Sequence, residues 1–145
     1  MNTNTNPNKT ALRFIKDLLV VSVYLHREGG RLVQEHSLTQ QQFVVLNEIV
    51  ECGAINQKDI VGNLLFEKSN VSKIVKKLSD LGYIEISTSK HDRRVTIINS
   101  TERGEVVWRL CIEKLNSWSV SWLKAIEEDD LVNATKIFEK LRGTT

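Results

Sequence analysis

The sequence predicts a mostly α-helical fold that carries one small β-sheet of two or three strands. Apolar residues recur at steps of three and four along most of the chain, which is the period of an amphipathic helix. Between residues 84 and 98, apolar and polar residues instead alternate in two short runs, as they do in paired strands. A chain of 145 residues with 41% hydrophobic and 26% charged residues fits one compact domain, or a core domain with an appended helical element.

The N-terminal helix is expected within residues 10–36. From Ala11 to His26 the apolar residues cover most of a helical circumference, so this helix must be buried on several sides. The apolar pattern stops before Gly29 and Gly30, and a short segment leads from these glycines to the next helix. Residues 1–9 are polar and lack the apolar stretch of a secretory signal, so we expect them to form a disordered tail.

The next two helices are predicted from their capping residues. Thr39, followed three residues later by Gln42, forms a capping box, and Gly53 supplies a left-handed stop for the same helix. Asn56, followed by Asp59, can cap a short helix that runs to about residue 65.

The helix that follows has a basic, polar outer face. Apolar residues recur at helical spacing from Val71 to Leu81, and Gly82 ends the helix. On a wheel of about 100° per residue, serines, lysines and Asn70 lie opposite the apolar stripe or on its flanks. Residues 67–94 hold seven basic and four acidic side chains, whereas the rest of the chain holds thirteen basic and fourteen acidic ones. The positive charge of the protein is therefore concentrated in this segment.

A charged hairpin follows the basic helix. Ile84 and Ile86 lie on one face of the first predicted strand, and Val95 and Ile97 lie on one face of the second. The tip, at residues 89–93, carries the charged side chains.

The last part of the chain, residues 101–145, is predicted to be helical. Ser100 or Thr101 caps a long helix, and Asp129 or Asp130 starts a final one. Together with the N-terminal helix, these helices present more apolar surface than a small core could cover. We expect them to form a dimerisation region, because symmetric dimers are the commonest soluble oligomers.

A short helix, a turn, a basic helix and a charged hairpin, in this order, are the arrangement of a winged helix-turn-helix, here over residues 37–100. The hydroxyls, Asn70 and lysines of the basic helix suit a major groove, and arginines at the hairpin tip suit a narrow minor groove. The helix contains no arginine, so Asn70, with its bidentate match to adenine, gains importance for base discrimination. The candidate DNA-binding residues are Ser69, Asn70, Ser72, Lys73, Lys76, Lys77, Lys90, His91, Arg93 and Arg94.

The runs "SNVSKIVKKLSDLGYIE" and "HDRRVTIINSTERG" resemble the MarR family of bacterial transcriptional regulators, and element order and length agree from about residue 10 to 142. The resemblance implies a two-fold homodimer that reads a pseudo-palindromic operator in double-stranded DNA, and we expect a repressor. It also implies that Asp92 orients a wing arginine through a salt bridge, while Arg93 and Arg94 contact the minor groove and phosphates.

The same resemblance implies a small aromatic or phenolic effector, held in a crevice between the dimer region and the winged domain. By analogy alone, the candidates near such a crevice are Arg13, Lys16, Tyr24 and Trp108. No convergent polar cluster in the sequence identifies this ligand.

Redox sensing through Cys52 or Cys111 is an alternative, because some members of that family use a reactive thiolate. Cys52 lies at the C-terminal end of a predicted helix beside Glu51, which is the wrong electrostatic end for a low thiol pKa. We therefore expect two buried, inert thiols.

Other function classes receive little support from the sequence. The three histidines form no metal-ligand pattern, and neither a nucleophile motif nor a phosphate-binding loop is present, so we expect no enzyme, no metal site and no cofactor. The apolar run "LLVVSVYL" is too short to span a bilayer, so we expect no membrane partner and a cytoplasmic protein. A second alternative is a winged-helix module whose basic face docks an acidic protein.

Overall fold

The predicted fold class is confirmed: six helices and a two-stranded antiparallel sheet follow one another in the computed structural model, which describes residues 7–144. Of the predicted disordered tail at residues 1–9, residues 1–6 lie outside the described residues, and residues 7–9 belong instead to the first α-helix. A short 3-10 helix at Gln34–His36 follows the first α-helix. The elements are α1 (Pro7–Val33), α2 (Gln40–Cys52), α3 (Gln57–Leu64), α4 (Lys68–Asp80), β1 (Ile84–Thr88), β2 (Thr96–Ser100), α5 (Glu102–Trp122) and α6 (Glu128–Gly143).

The N-terminal helix, expected within residues 10–36, begins three residues before that range and ends three residues before its end. It starts at Pro7 and continues through Gly29 and Gly30 to Val33. A Cβ atom added to Gly29 would lie 2.9 Å from Cγ of Gln40 in α2, so this glycine allows two helices to approach closely. Its small size serves helix packing here and does not terminate the helix.

Capping fixes the start of α2 and α3 as the sequence predicted. Thr39 Oγ1 accepts the backbone N–H of Gln42 at 3.2 Å, and the Gln42 side chain accepts the backbone N–H of Thr39 at 2.9 Å, which completes the capping box. At the start of α3, Asn56 Oδ1 accepts the backbone N–H of Asp59 at 2.8 Å. Gly53 adopts a positive φ of 73° just after α2.

The chain divides into two compact units, the first ending at Cys111 and the second starting at Ile112. The core of the first unit lies among α2, α3, α4 and the hairpin. Its largest fully buried aliphatic side chains are Leu46, Ile49, Ile60, Leu78 and Ile98. Burying a side chain of this size contributes about 1.5–3 kcal/mol, so these five residues fix how the three helices sit under the hairpin.

The hairpin forms as predicted, but its second strand presents the opposite face to the core. Ile98 is buried, whereas Val95 is exposed and Ile97 is half-buried, so the face of β2 that packs inward is not the one that carries Val95 and Ile97. Ile98 pairs with Ile86 across the sheet and exchanges two backbone hydrogen bonds with Ile55, which adds a single-residue third strand. Because strand side chains alternate faces, this bridge determines which residues of β2 point inward.

The start of α5 is tied to the end of α4 by Thr101. Its Oγ1 accepts the backbone N–H of Gly104 at 3.0 Å, and it donates to the carbonyl of Gly82 at 2.6 Å. Of the two residues predicted to cap α5, Thr101 is therefore the one that caps it.

The first turn of α5 crosses close to the backbone of Tyr83. A Cβ atom added to Gly104 would lie 1.9 Å from the carbonyl oxygen of Tyr83, so only glycine fits at this crossing.

The second unit contains the C-terminal half of α5 and α6. Trp118 and Trp122 stack with ring centroids 4.9 Å apart. The helix α6 starts at Glu128 after Glu127, slightly before the two aspartates predicted to start it. Within the described part of the chain, no helix is both long enough and apolar enough to cross a membrane.

Candidate nucleic-acid interface

The helix α4 separates an apolar face from a basic one. Val71, Ile74, Val75 and Leu78 are buried and attach the helix to α2 and α3. On the other side, the exposed residues are Ser69, Ser72, Lys73, Lys76, Lys77 and, at the last residue of the helix, Asp80. The sequence pattern therefore predicted correctly which face of α4 packs against the core and which is free to meet a partner.

None of the six cations assigned to this surface has a carboxylate partner within residues 7–144. Ion pairs among these residues are found in α1 and the 3-10 helix, where Arg13, Arg27, Arg31 and His36 lie beside acidic side chains. The six free cations are Lys73, Lys76, Lys77, Lys90, Arg93 and Arg94. Unpaired, exposed positive charge concentrated on one surface attracts a polyanion.

Two polar side chains of α4 are held by amides from the preceding helices. Asn70 is half-buried, and its Nδ2 donates to Oε1 of Gln41 at 3.1 Å. Ser72 is exposed, and its Oγ accepts from Nε2 of Gln57, the first residue of α3. Asn70 is thus less accessible to a partner than its position on the flank of α4 suggested. One of its amide hydrogens is already used in the bond to Gln41.

The wing presents Lys90, His91, Arg93 and Arg94, all of which are exposed. Asp92 does not form the implied salt bridge with a wing arginine. Its Oδ1 instead accepts the backbone N–H of Arg94 at 2.9 Å, which is the local hydrogen bond typical of an aspartate in a turn. The carboxylate therefore shapes the backbone of the wing, and the guanidinium groups remain free of it.

The comparison with known families decides the identity of this domain. The MarR family model matches residues 38–96, which run from just before α2 to the first residue of β2. Residues 38–96 thus form a winged helix-turn-helix that matches the MarR family. The resemblance noted in the sequence is confirmed. Members of the MarR family are transcriptional regulators rather than enzymes, in agreement with the expectation drawn from the sequence.

Two curated relatives and one solved structure illustrate the similarity. The chain is 26% identical over 79 residues to the HTH-type transcriptional regulator MgrA of Staphylococcus aureus, covering 54% of each protein. It is 25% identical over 89 residues to the transcriptional activatory protein BadR of Rhodopseudomonas palustris, covering 59% of this chain and 51% of BadR. The chain thus spans about half the length of the curated relatives it matches.

The fold is shared with a putative MarR family transcriptional regulator from Listeria monocytogenes, solved in complex with a 26mer DNA. The TM-score is 0.83 over 90% of this chain and 87% of that chain, at 23% sequence identity.

Four residues next to the predicted DNA-binding side chains of α4 were not assigned from the sequence. Gln41 and Gln57 were missed because their role depends on contacts across 29 and 15 residues of sequence, which periodicity does not reveal. Lys58 and Lys68 line a cleft of about 460 Å³ together with Gln57, Val61 and Thr96. Lys68 was counted in the basic segment, and its position at the first turn of α4 was the signal that could have identified it.

Two of the four effector candidates, Arg13 and Trp108, have partners of their own. Arg13 lies 3.8 Å from Asp17 on an exposed part of α1, and Trp108 donates to Oδ1 of Asn47 at 2.8 Å. A cavity of about 490 Å³ between α1 and α2 is lined instead by Ser22, Val23, Leu25, His26 and Gln40. None of the four predicted residues lines it.

The cysteines differ from each other in exposure. Cys111 is buried as predicted, but Cys52 is exposed, so the expectation that both are buried is wrong. Partial desolvation, the hydrogen bond from its Sγ to Glu48 at 3.3 Å and the charges of Glu48, Glu51 and Asp59 raise the pKa of the Cys52 thiol. The thiolate is therefore scarce near neutral pH, which disfavours a redox switch at this position.

Proposed function

We propose that this chain binds double-stranded DNA in a sequence-specific manner, as a homodimeric transcriptional regulator. The observation that carries the proposal is the set of six unpaired, exposed cations on α4 and the wing. A recognition helix with small hydroxyls and lysines fits the major groove, and wing arginines suit the more negative minor groove. Lysine supplies charge without a bidentate fork, so phosphate contacts dominate affinity and Asn70 and Ser72 contribute base preference.

The homodimer is supported by apolar side chains that remain exposed in the single chain. On α1, Leu12, Leu19 and Val23 are 66%, 63% and 69% exposed, and Val120 near the end of α5 is 75% exposed. An exposed apolar face such as the one on α1 marks an interface, and we assign a second copy of this chain as its occupant. Two copies related by a two-fold axis would read half-sites about 34 Å apart on one face of a pseudo-palindromic operator.

Repression is the mode of action that we propose. A dimer that covers both half-sites excludes other proteins from the same DNA by occupancy alone. Activation would need a further contact with the transcription machinery. The test is a reporter gene placed behind the selected operator, whose output should fall when the protein is expressed and should stay unchanged with a Lys73→Ala, Lys76→Ala variant. A rise in output would contradict repression without contradicting DNA binding.

A small aromatic or phenolic effector, as the family resemblance implied, would fit the cavity between α1 and α2. His26 Nδ1 lies 3.1 Å from Oε1 of Gln40 at its wall, and the remaining lining is largely aliphatic. We propose that a phenol or aromatic carboxylate displaces this contact. Salicylate should then weaken DNA binding by the wild type more than by His26→Leu, and an equal effect on both proteins would exclude this cavity.

The proposed function is tested by selecting fragments from genomic DNA with the purified protein. We expect recovered fragments to share a pseudo-palindrome and to bind more tightly than scrambled duplexes of equal length. The competing interpretation is a winged-helix module that docks an acidic protein on the same surface. Equal binding to DNA and to an acidic polypeptide such as polyglutamate, with no shared sequence among recovered fragments, would favour that alternative and contradict ours.

A further inference from the structure

The hydrogen bond between Gln57 and Ser72 has a definite direction. Nε2 of Gln57 donates to Oγ of Ser72 at 2.5 Å, across two helices. A serine hydroxyl has one hydrogen and two lone pairs. Because Oγ accepts from Gln57, the hydroxyl hydrogen of Ser72 must point to another acceptor. Among the described residues Ser72 makes no second hydrogen bond, and its side chain is exposed on the basic face of α4.

We propose that Gln57 is a positioning residue that makes Ser72 a hydrogen-bond donor toward the major groove. The inference rests on the proposed DNA-binding function and adds a specificity determinant to it. Gln57 opens α3, while Ser72 lies one turn into α4, so the contact joins the two helices of the helix-turn-helix. Fixing α3 against α4 therefore also fixes the direction of one hydrogen bond offered to DNA.

The consequence is a base preference at one operator position per half-site. In the major groove, guanine offers N7 and O6, adenine offers N7 and thymine offers O4 as acceptors, whereas cytosine offers only its N4 donor. A hydroxyl held as a donor therefore favours a base with an acceptor and disfavours cytosine. A hydroxyl that rotates freely can accept from cytosine N4 as readily as it donates, and the preference is lost.

A purely structural role for Gln57 would have a different signature. Loss of helix packing would lower stability, or would weaken binding to every DNA sequence by a similar factor. Loss of positioning changes the ratio of affinities at one base pair and leaves the salt dependence of binding unchanged, because no phosphate contact is removed.

The experiment selects binding sites from a pool of randomised duplex DNA with four proteins. These are the wild type, Gln57→Met, which keeps the length of the side chain but cannot donate, Ser72→Ala, and the double variant. We expect the wild type to exclude cytosine at one position by about fivefold, the worth of one hydrogen bond. All three variants should lose this preference, and Gln57→Met should add nothing to Ser72→Ala.

A second substitution reverses the hydrogen bond. In Gln57→Glu the carboxylate can only accept, so it should take the hydroxyl hydrogen of Ser72 and leave Oγ as an acceptor toward DNA. The preference should then invert toward cytosine or adenine, whose amino groups donate. Gln41→Met is the matched control: it removes the amide that holds Asn70, and should leave the Ser72 position unaffected.

The outcomes separate this inference from the proposed function. If the wild type selects no shared sequence, the proposed function fails and the inference falls with it. If the wild type selects an operator but folded Gln57→Met and Gln57→Glu keep the wild-type profile at every position, the inference is overturned while DNA binding stands. Loss of the preference in Gln57→Met together with inversion in Gln57→Glu would establish it.

Discussion

At the scale of single residues, the wing depends on a backbone hydrogen bond made by Asp92. Its Oδ1 accepts the N–H of Arg94 at 2.9 Å. Asparagine can make the same bond, but alanine cannot. We predict that Asp92→Asn keeps wild-type DNA affinity within about twofold, whereas Asp92→Ala weakens binding about fivefold, as expected for the loss of one such hydrogen bond.

Fluorescence anisotropy with a labelled operator duplex measures both Asp92 variants. If a salt bridge to an arginine oriented the wing, asparagine would fail as badly as alanine. Equal losses in the two variants would therefore restore the role that the family resemblance implied.

Cys52 leads to a prediction on pH. Desolvation, the Glu48 hydrogen bond and nearby carboxylates raise the pKa of its thiol, so the reactive thiolate forms only at more alkaline pH than in an ordinary cysteine. We expect the rate of iodoacetamide alkylation to be low at pH 7 and to rise steadily with pH. Glu48→Gln should lower the thiol pKa and shift this profile toward neutral pH.

Mass spectrometry of the Cys52 peptide follows the reaction, with Cys52→Ser as the blank. Selective oxidation of Cys52 by dilute peroxide at pH 7, accompanied by loss of DNA binding, would revive the redox alternative.

At the scale of elements, the crossing of α5 over the turn after α4 depends on Gly104. A Cβ atom there would lie 1.9 Å from the backbone oxygen of Tyr83, which cannot move without shifting the base of the wing. We predict that Gly104→Ala lowers the free energy of unfolding by about 3 kcal/mol, the upper range for overpacking. Urea denaturation measures this change.

Gly62 in α3 provides the matched control. Apart from its chain neighbours and the backbone of its own helix, no atom lies within 4 Å of the Cβ position there, so Gly62→Ala should be neutral or should stabilise the protein by up to about 1 kcal/mol. A Gly104→Ala variant as stable as Gly62→Ala would show that the backbone of Tyr83 does not pack closely against α5 at Gly104.

The helices and strands differ in how well the sequence alone predicted them. Local chemistry predicted α2 and α3, because a capping box at Thr39 and an Asx cap at Asn56 are readable from residues three apart. The role of Gly29 in α1 could not be predicted, because it depends on another helix: a Cβ atom at this position would lie 2.9 Å from Cγ of Gln40. The inward face of β2 could not be predicted for a similar reason: the bridge from Ile55 to Ile98 is a contact between distant segments.

The candidate site was predictable to a similar extent. Helical spacing was enough to find the exposed lysines of α4, since it depends on nothing outside the helix. The partners of Asn70 and Ser72 come from α2 and α3, so only the folded arrangement reveals that these two side chains are held. The salt bridge expected for Asp92 is replaced by a hydrogen bond to the backbone of Arg94. An aspartate can form either interaction, so its presence in the sequence does not distinguish them.

At the scale of the whole molecule, the proposed dimer leads to a prediction on mass. Leu19 is 63% exposed on α1, where we expect the partner chain to pack. Leu19→Glu would place a charge in an apolar interface and should convert a dimer into a monomer of 16.6 kDa in analytical ultracentrifugation. Thr10→Glu, also exposed on α1, is the control and should leave the dimer intact. A wild type that sediments as a monomer at all accessible concentrations would contradict the proposed assembly.

The central claim is that the exposed cations of α4 and the wing neutralise DNA phosphates, and the salt dependence of duplex binding tests it most directly. If a dimer neutralises about six phosphates, a plot of log affinity against log salt concentration should have a slope of about −5.

The Lys73→Ala, Lys76→Ala variant removes four of these cations from a dimer, so its slope should be about −2 if all four bind phosphates. Lys124→Ala with Lys136→Ala removes the same charge from exposed positions elsewhere and should keep the wild-type slope. A wild-type affinity that stays flat from low to moderate salt, or a slope that the α4 lysines do not change, would contradict the account.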